Sequence, residues 1–209
     1  MRIRITFSKT EAMRYTGHLD LQRVWERTFR RAKLPLAYSQ GFHPQARLNL
    51  ACALPLGFTS QCELLDAWLE SLVTLETVFH KLVSASPPGI NIQHIEEITE
   101  RLPSLQSQVT AAEYTITFLD IVPDLLERVD KLCSSTTLYR VRRGKDYDLR
   151  IFIESIDMLP ADKDGRQRLS VRLSAREAAT GRPEEVLAVL DVPLESTRIH
   201  RIALFLKPE

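Results

Sequence analysis

The N-terminal quarter of the chain concentrates the side chains that can bind an anion. Residues 1–50 contain ten Lys and Arg residues against three Asp and Glu residues, a net charge of +7, whereas the rest of the chain carries −6. Arginine suits phosphate because its planar guanidinium donates two parallel hydrogen bonds. This asymmetry indicates an anionic partner at the N-terminal end, with a solvated basic helix as the alternative.

Nine side chains of this region are the candidate binding residues. Aromatic rings can stack on splayed bases, and the cationic groups can contact phosphates. The candidates are Lys9, Arg14, Arg23, Arg27, Arg30, Tyr38, Gln40, Phe42 and Arg47. For Tyr38 and Phe42 the alternative is that the rings pack the loop in which they lie.

Three residues nearby are candidate catalytic residues, because an imidazole that ionises near neutral pH can move protons. They are His18, Tyr15 and His43. His18 directly precedes a predicted helix, so a role at the helix entry competes with a catalytic one. Together they make a metal-independent endoribonuclease chemically feasible, although no residue is assigned a step.

Metal, nucleotide-loop and hydrolase motifs are missing from the sequence. His18 and Asp20 lie two residues apart, but no H-x-x-x-H or C-x-x-C spacing occurs. Phosphate-binding glycine loops and the G-x-S-x-G motif are also absent. We therefore expect no metal site and no cofactor. Asp66, within a predicted strand, either pairs with an arginine of the basic cluster or faces solvent.

Composition points to a cytoplasmic protein without a membrane segment. Apolar residues make up 44% and charged residues 26%, which is ordinary for a soluble globular chain. Apolar stretches fall far short of the 18 residues of a membrane helix, and the N-terminus is typical of a strand, not a signal peptide. The three cysteines are odd in number and widely spaced, which fits a reducing cytoplasm.

Hydrophobic periodicity predicts the elements that position these residues. Ile3, Ile5 and Phe7 alternate as a half-buried strand, and an amphipathic helix follows over about 19–33. Further strands are predicted near 48–54, 62–69 and 90–98, with a helix over 75–84 whose inward residues are Leu75, Val78, Phe79, Leu82 and Val83. This βαββαβ order is the ferredoxin-like split βαβ pattern. The loops that flank the first helix, residues 8–17 and 38–44, are expected to converge on one edge of the sheet.

The second half repeats this order, so we predict an α+β fold of tandem ferredoxin-like (βαββαβ) halves with antiparallel sheets. The halves are residues 1–98 and 113–209, joined by a polar connection over 99–112. In the second half, a strand near 114–118, a helix from Pro123, and a strand-like stretch over 139–156 broken near Gly144 are expected. A turn at 162–165, another strand, a short helix over 184–190 and a last strand over 200–206 follow.

A series of spaced motifs occurs in order over about residues 1–70. They are Phe7-Ser8-Lys9, Arg14-Tyr15-Thr16-Gly17-His18-Leu19-Asp20-Leu21, Trp25-Glu26-Arg27, Arg30-Arg31-Ala32, Leu34-Pro35-Leu36-Ala37-Tyr38-Ser39-Gln40-Gly41-Phe42-His43-Pro44 and Ala53-Leu54-Pro55-Leu56-Gly57. The series resembles the signature of the radical-SAM-linked protein family, a bacterial domain of unknown function. Ala112-Glu113-Tyr114 and Asp148-Leu149-Arg150 extend the resemblance more loosely. Gln45 and Ala46 stand where that family has a His and a Pro, which puts any role of that histidine in doubt.

The resemblance implies a bacterial, cytoplasmic protein that works with a radical-SAM protein. This chain lacks the C-x-x-x-C-x-x-C motif that holds the radical-SAM cluster, so the partner is expected on a separate chain. Three functions remain open. One is a module that binds RNA or presents a substrate to that partner. The others are a protein-interaction subunit without RNA contact and a metal-independent endoribonuclease.

Overall fold

Strand β1 (Arg2–Lys9) forms from the alternating residues Ile3, Ile5 and Phe7, whose side chains are completely buried. The computed structural model describes residues 1–142 and 144–207. These form an α+β protein that divides into two units, Met1–Val109 and Thr110–Glu209. No helix in the described ranges has both the length and the apolar character needed to cross a membrane.

The first unit contains a four-stranded sheet and the helices α1 and α2, with a short helix near its end that is described below. After β1 come α1 (His18–Arg31), β2 (Leu48–Leu50), β3 (Thr59–Trp68), α2 (Leu75–Ala85) and β4 (Ile90–Glu97). The strands lie in the order β2-β3-β1-β4, and each neighbouring pair is antiparallel. The predicted βαββαβ order of elements is confirmed for this unit, although β2 is shorter than expected.

Helix α1 packs through the stripe that its periodicity predicts. Leu21, Trp25 and Phe29 are buried, and the edge of Trp25 meets Phe7 of β1 with 4.8 Å between ring centroids. In α2, Val78 and Leu82 are buried as expected. The inward position predicted for Val83 is wrong, because this side chain is exposed.

The segment 99–112 is more ordered than the predicted connection. It contains helix α3 (Leu105–Gln108) and the beginning of strand β5 (Val109–Phe118). The Ser104 hydroxyl caps α3 by accepting a hydrogen bond from the Ser107 N–H at 3.3 Å, and Leu105 is completely buried. Arg2 donates to the carbonyls of Leu102 and Pro103, so the segment is attached to the sheet through its backbone.

Asp66 is a buried carboxylate that accepts four hydrogen bonds from two arginines. Its carboxylate is 0% exposed and lies opposite Arg4 in the β1–β3 register. Arg2 Nη2 donates to Asp66 Oδ2 at 2.6 Å, and Arg4 Nε donates to Oδ1 at 2.8 Å. Arg4 also donates to Gln108 Oε1, and Gln108 Nε2 donates to Pro103 O. Asp66 therefore pairs with the two arginines of β1 and not with those of the basic helix.

The second unit combines a sheet with a separate hairpin. Its elements after β5 are α4 (Leu125–Ser134), β6 (Tyr139–Arg142), β7 (Lys145–Asp148), β8 (Ile153–Leu159), β9 (Arg168–Arg176), β10 (Ala179–Thr180), α5 (Pro183–Val189) and β11 (Thr197–Leu206). The strands run in the order β10-β9-β5-β11, and β8 also pairs with β9. Strands β6 and β7 form the hairpin, and the predicted break lies at Gly144, which has a φ of +73°, and at Lys145, where β7 begins.

The turn predicted at 162–165 is confirmed. The Gly165 N–H donates to Asp162 O at 3.0 Å, and Asp162 Oδ1 accepts hydrogen bonds from the N–H groups of Asp164 and Arg166. The bond from Arg166 contributes most to lowering the pKa of the Asp162 carboxyl below its ordinary value. Asp162 thus fixes a surface turn and has no part in the site described below.

Replacing Asp66 by Asn should destabilise the first unit by about 3–5 kcal/mol, because the guanidinium groups of Arg2 and Arg4, whose side chains are 12% and 8% exposed, lose their anion. The two tryptophans of the chain, Trp25 and Trp68, both lie in this unit. Urea unfolding followed by tryptophan fluorescence therefore reports on it selectively. The control Glu97→Gln, on an exposed position of β4, should change stability by no more than about 0.5 kcal/mol. An Asp66→Asn protein within about 1 kcal/mol of wild type would contradict this role for the ion pairs.

Candidate functional site

The fold divides the ten basic residues of the N-terminal quarter into two groups. Arg2 and Arg4 bind Asp66, and Lys9 and Arg14 are also buried. The other six are exposed, namely Arg23, Arg27, Arg30, Arg31, Lys33 and Arg47. All six lie between residues 23 and 47, where Glu26 is the only acidic residue, so the displayed charge of this segment is +5.

Lys9 and Arg14 join two loops inside the first unit. Lys9 is 0% exposed, and its Nζ donates to the carbonyls of Arg14 at 3.2 Å and Phe58 at 3.1 Å. Arg14 Nε donates to Gly57 O, and the Gly57 N–H donates back to Arg14 O. The structure thus places these two predicted binding residues in the interior, where they are part of the packing and not of an exposed face.

Helix α1 presents a row of arginines to solvent, here called the basic stripe, formed by Arg23, Arg27, Arg30 and Arg31. Their spacing of three and four residues places them on the face opposite Trp25 and Phe29. At a rise of about 1.5 Å per residue the stripe extends over about 12 Å. Arg23 pairs with Asp20 at 3.1 Å, and because both side chains are mostly exposed this pair is readily exchanged for another anion.

Residues 37–47, here called hairpin 37–47, form an ordered projection after α1. The Arg47 N–H donates to Ala37 O, and the Ser39 N–H donates to Gln45 O. The Gln45 N–H also donates to the Ser39 hydroxyl at 2.9 Å. At the tip, Gln40, Phe42 and His43 are exposed, and Phe42 reaches 101% exposure. The Phe42 ring therefore does not pack the loop, whereas Tyr38 is 38% exposed and partly covered.

The base of hairpin 37–47 is attached to Trp68 at the end of β3. The Ala37 N–H donates to Trp68 O at 2.8 Å, and the Trp68 N–H donates to Arg47 O at 3.2 Å. The Arg47 guanidinium lies 5.0 Å from the centroid of the Trp68 ring, and that of Arg2 lies 5.1 Å from it. Arg47 is therefore held in place while it remains exposed.

The predicted convergence of the two loops is wrong. The loop that carries Tyr15 packs at the Lys9 end of β1, where Lys9 opposes Ser60, whereas hairpin 37–47 packs at the Arg2 end, where Arg2 opposes Trp68. At about 3.3 Å per residue these ends are about 23 Å apart. The reason is that α1 runs back along the length of the sheet, so the loops before and after it emerge at opposite ends.

The catalytic candidates are consequently divided. His18 is the first residue of α1 and is half-buried, and its spacing to Leu21 and Trp25 places it on the inward-facing side of the helix. Tyr15 is 75% exposed beside it in sequence, and His43 lies at the tip of the distant hairpin. His18 and His43 therefore do not form an acid–base pair. Within residues 1–142 and 144–207, no group of three His, Cys, Asp or Glu side chains is suited to a metal ion.

The distribution of acidic residues in the sequence carries a signal that its motifs do not. Residues 27–62 contain five basic residues and no Asp or Glu, whereas 27 acidic residues in 209 would place about five in any stretch of 36. This acid-free stretch covers most of the basic stripe and all of hairpin 37–47. No residue of this stretch repels an anion, which favours an extended anionic partner.

The fold and this surface define an α+β protein with an exposed basic and aromatic face. The chain belongs to the family DUF2344, described as uncharacterized proteins conserved in bacteria, whose family model matches residues 2–183. No curated protein matches the chain significantly.

Two solved structures match the chain. A chain in the crystal structure of a Cbf5–Nop10–Gar1 complex matches with a TM-score of 0.51 and 8% identity, over 97% of this chain and 48% of that chain. A chain of the archaeal box H/ACA sRNP Nop10–Cbf5 complex matches with a TM-score of 0.47 and 10% identity, over 99% and 49% respectively. This chain spans about half the length of each, and at such low identity the first likeness shows a shared fold alone.

Proposed function

We propose that the chain is an RNA-binding accessory protein that presents RNA to a separate radical-SAM protein in the bacterial cytoplasm. The observation that carries the RNA-binding part is the basic stripe together with the acid-free stretch that follows it. Guanidinium groups spaced along one exposed helix face can contact successive phosphates, and no carboxylate between residues 27 and 62 opposes the approach of a polyanion.

Two ferredoxin-like halves form the structural part of this proposal. In the first unit the strand order β4-β1-β3-β2 with antiparallel neighbours fits the split βαβ arrangement. If β5, β8, β9 and β11 are taken as the four principal strands of the second unit, their order β11-β5-β9-β8 is the same. Hairpin β6–β7 and strand β10 are then additions to that half.

The radical-SAM partner and the cytoplasmic location rest on other observations. The partner rests on the resemblance of the motif series between Phe7 and Gly57 and on no contact in the structure. The location is supported by Cys52, Cys62 and Cys133, all of which are thiols in the described part of the chain. The endoribonuclease hypothesis draws no support from the geometry, because His18 and His43 lie at opposite ends of the sheet.

An exposed apolar pair favours a protein partner as a second binding function. Tyr15 is 75% exposed and Leu56 is 61% exposed, and they flank the two hydrogen bonds between Arg14 and Gly57. This pair lies at the end of the sheet away from hairpin 37–47. RNA and a protein partner could therefore occupy different ends of the first unit, which is what a presenting role requires.

Neutralising the basic stripe should weaken RNA binding and make it less sensitive to salt. The variant Arg23/Arg27/Arg30→Gln keeps residues that favour helix and removes three positive charges. If each arginine contacts one phosphate, the slope of log affinity against log salt should fall in magnitude by about 2 for a single strand. Fluorescence anisotropy of a labelled RNA at several KCl concentrations measures both the affinity and the slope.

The matched control is Lys131/Lys163/Arg176→Gln, which removes three exposed charges from the second unit. It should leave the affinity and the salt slope close to the wild-type values. An equal loss in both triple variants would indicate a general charge effect and contradict a site on α1. Wild-type protein that binds no RNA even at low salt would contradict the proposed function itself.

The double variant Tyr15→Ser/Leu56→Ser should lose retention of a co-expressed, tagged radical-SAM protein, because it removes the apolar surface offered to that partner. Its RNA affinity should stay at the wild-type value, since neither residue belongs to the basic stripe. The control Ile121→Ser/Leu126→Ser alters two exposed apolar residues of the second unit and should retain the partner. Retention that is unchanged in the Tyr15/Leu56 variant would rule out docking at this pair.

A further inference from the structure

Hairpin 37–47 holds a fully exposed aromatic ring on a rigid support. Single exposed apolar residues are ordinary on protein surfaces, so exposure of Phe42 alone carries little meaning. Here, however, the neck of the hairpin is closed by hydrogen bonds between Ala37 and Arg47 and between Ser39 and Gln45. At its base, both Ala37 and Arg47 are hydrogen-bonded to the backbone of Trp68. The ring is thus presented in a fixed place, which lowers the ordering cost of binding.

The turn that exposes Phe42 depends on its neighbour. Gly41 has a φ of +131°, a conformation that side-chain-bearing residues rarely adopt, and a Cβ there would meet no atom within 4 Å. The glycine is therefore required by the backbone and not by crowding. Gly41 thus allows a backbone turn that places the neighbouring Phe42 ring in solvent. This arrangement indicates that the tip displays the ring for binding.

The residues around the ring indicate the chemistry of its partner. Ser39, Gln40, His43 and Gln45 all carry hydrogen-bonding groups, and the aliphatic residues beside them are Pro44 and Ala46. Docking the tip in an apolar protein pocket would leave these polar groups without hydrogen-bond partners, which costs free energy. The tip also lies within the acid-free stretch, 15 residues after Arg27. Its partner is therefore anionic and presents flat apolar faces bordered by polar edges.

We infer that hairpin 37–47 stacks Phe42 on an unpaired base, so that the RNA class bound by this protein is single-stranded or looped RNA. This inference rests on the proposed RNA-binding function. Unpaired bases offer a π face and free polar edges. In an A-form duplex the base faces are stacked on neighbouring base pairs and are not accessible. Gln40 and His43 lie beside Phe42 for the edges of the base, and Arg47 at the base of the hairpin is available for its phosphate.

The test compares two variants on two RNAs. Phe42→Ala removes the ring, and Phe42→Tyr keeps a stacking surface of similar size. The probes are a labelled 12-residue oligouridine and a 12-base-pair RNA duplex, each measured by fluorescence anisotropy. Phe42→Ala should bind the single strand roughly 5- to 150-fold more weakly, which is the range for losing one base–aromatic stack. The affinity of Phe42→Ala for the duplex should stay within about twofold of the wild-type value. Phe42→Tyr should bind both probes like wild type.

A second readout separates stacking from a general loss of contact. A single strand that carries 2-aminopurine should change its emission on binding wild type and Phe42→Tyr but not on binding Phe42→Ala. Because Phe42 is fully exposed, the Ala variant should unfold at the wild-type urea midpoint.

Three outcomes would overturn the inference while leaving the proposed function standing. They are an equal loss for duplex and single strand, unchanged binding of the single strand by Phe42→Ala, and loss of protein-partner retention by Phe42→Ala without any change in RNA affinity. The last outcome would assign the tip to a protein surface. Failure of wild type to bind either RNA would instead remove the proposed function.

Discussion

The functional face depends on the ion pairs of the buried Asp66 carboxylate. Burying a carboxylate costs free energy that only close, hydrogen-bonded cations offset, and Asp66 receives both Arg2 and Arg4. Arg2 then bonds the backbone of 102–103 and lies over Trp68, and Trp68 in turn carries the base of hairpin 37–47 and the guanidinium of Arg47. The position of the exposed tip is thus fixed by a contiguous series of contacts that begins at one carboxylate.

The same contacts explain which charges remain for a ligand. Four of the ten basic residues in the N-terminal quarter are used inside the first unit, two on Asp66 and two on loop carbonyls. The net charge of +7 in the sequence therefore overstates the positive charge that a partner can contact. What remains is arranged along α1 and its following hairpin, so the surface is smaller but more concentrated than the sequence suggests.

Local features of the fold were predictable from the sequence, and long-range ones were not. The alternation of apolar and polar residues predicted β1, and the apolar stripe predicted the buried face of α1. Both patterns reflect the burial of one side of a single element. The partner of Asp66 was missed because it depends on strand register, which no local pattern encodes. Helix α3 was missed because its segment is anchored by carbonyls and a serine cap instead of by a periodic apolar face.

The site shows the same division. The basic stripe follows from helical spacing alone, and the acid-free stretch over 27–62 was readable from composition. The burial of Lys9 and Arg14 could not be predicted, because the sequence does not distinguish a lysine that donates to buried carbonyls from one that is exposed to solvent. The two loops were expected together because each is near α1 in sequence, whereas the length of the helix separates them.

Ultraviolet crosslinking of wild-type protein to single-stranded RNA, followed by peptide mass spectrometry, tests the central claim most directly. The claim is that the exposed basic and aromatic segment after residue 22 is where RNA binds. Crosslinked peptides should fall within residues 23–47, with Phe42 and Tyr38 as the principal sites, since aromatic rings that stack on bases crosslink readily. Crosslinks confined to the second unit, or spread evenly along the chain, would contradict it.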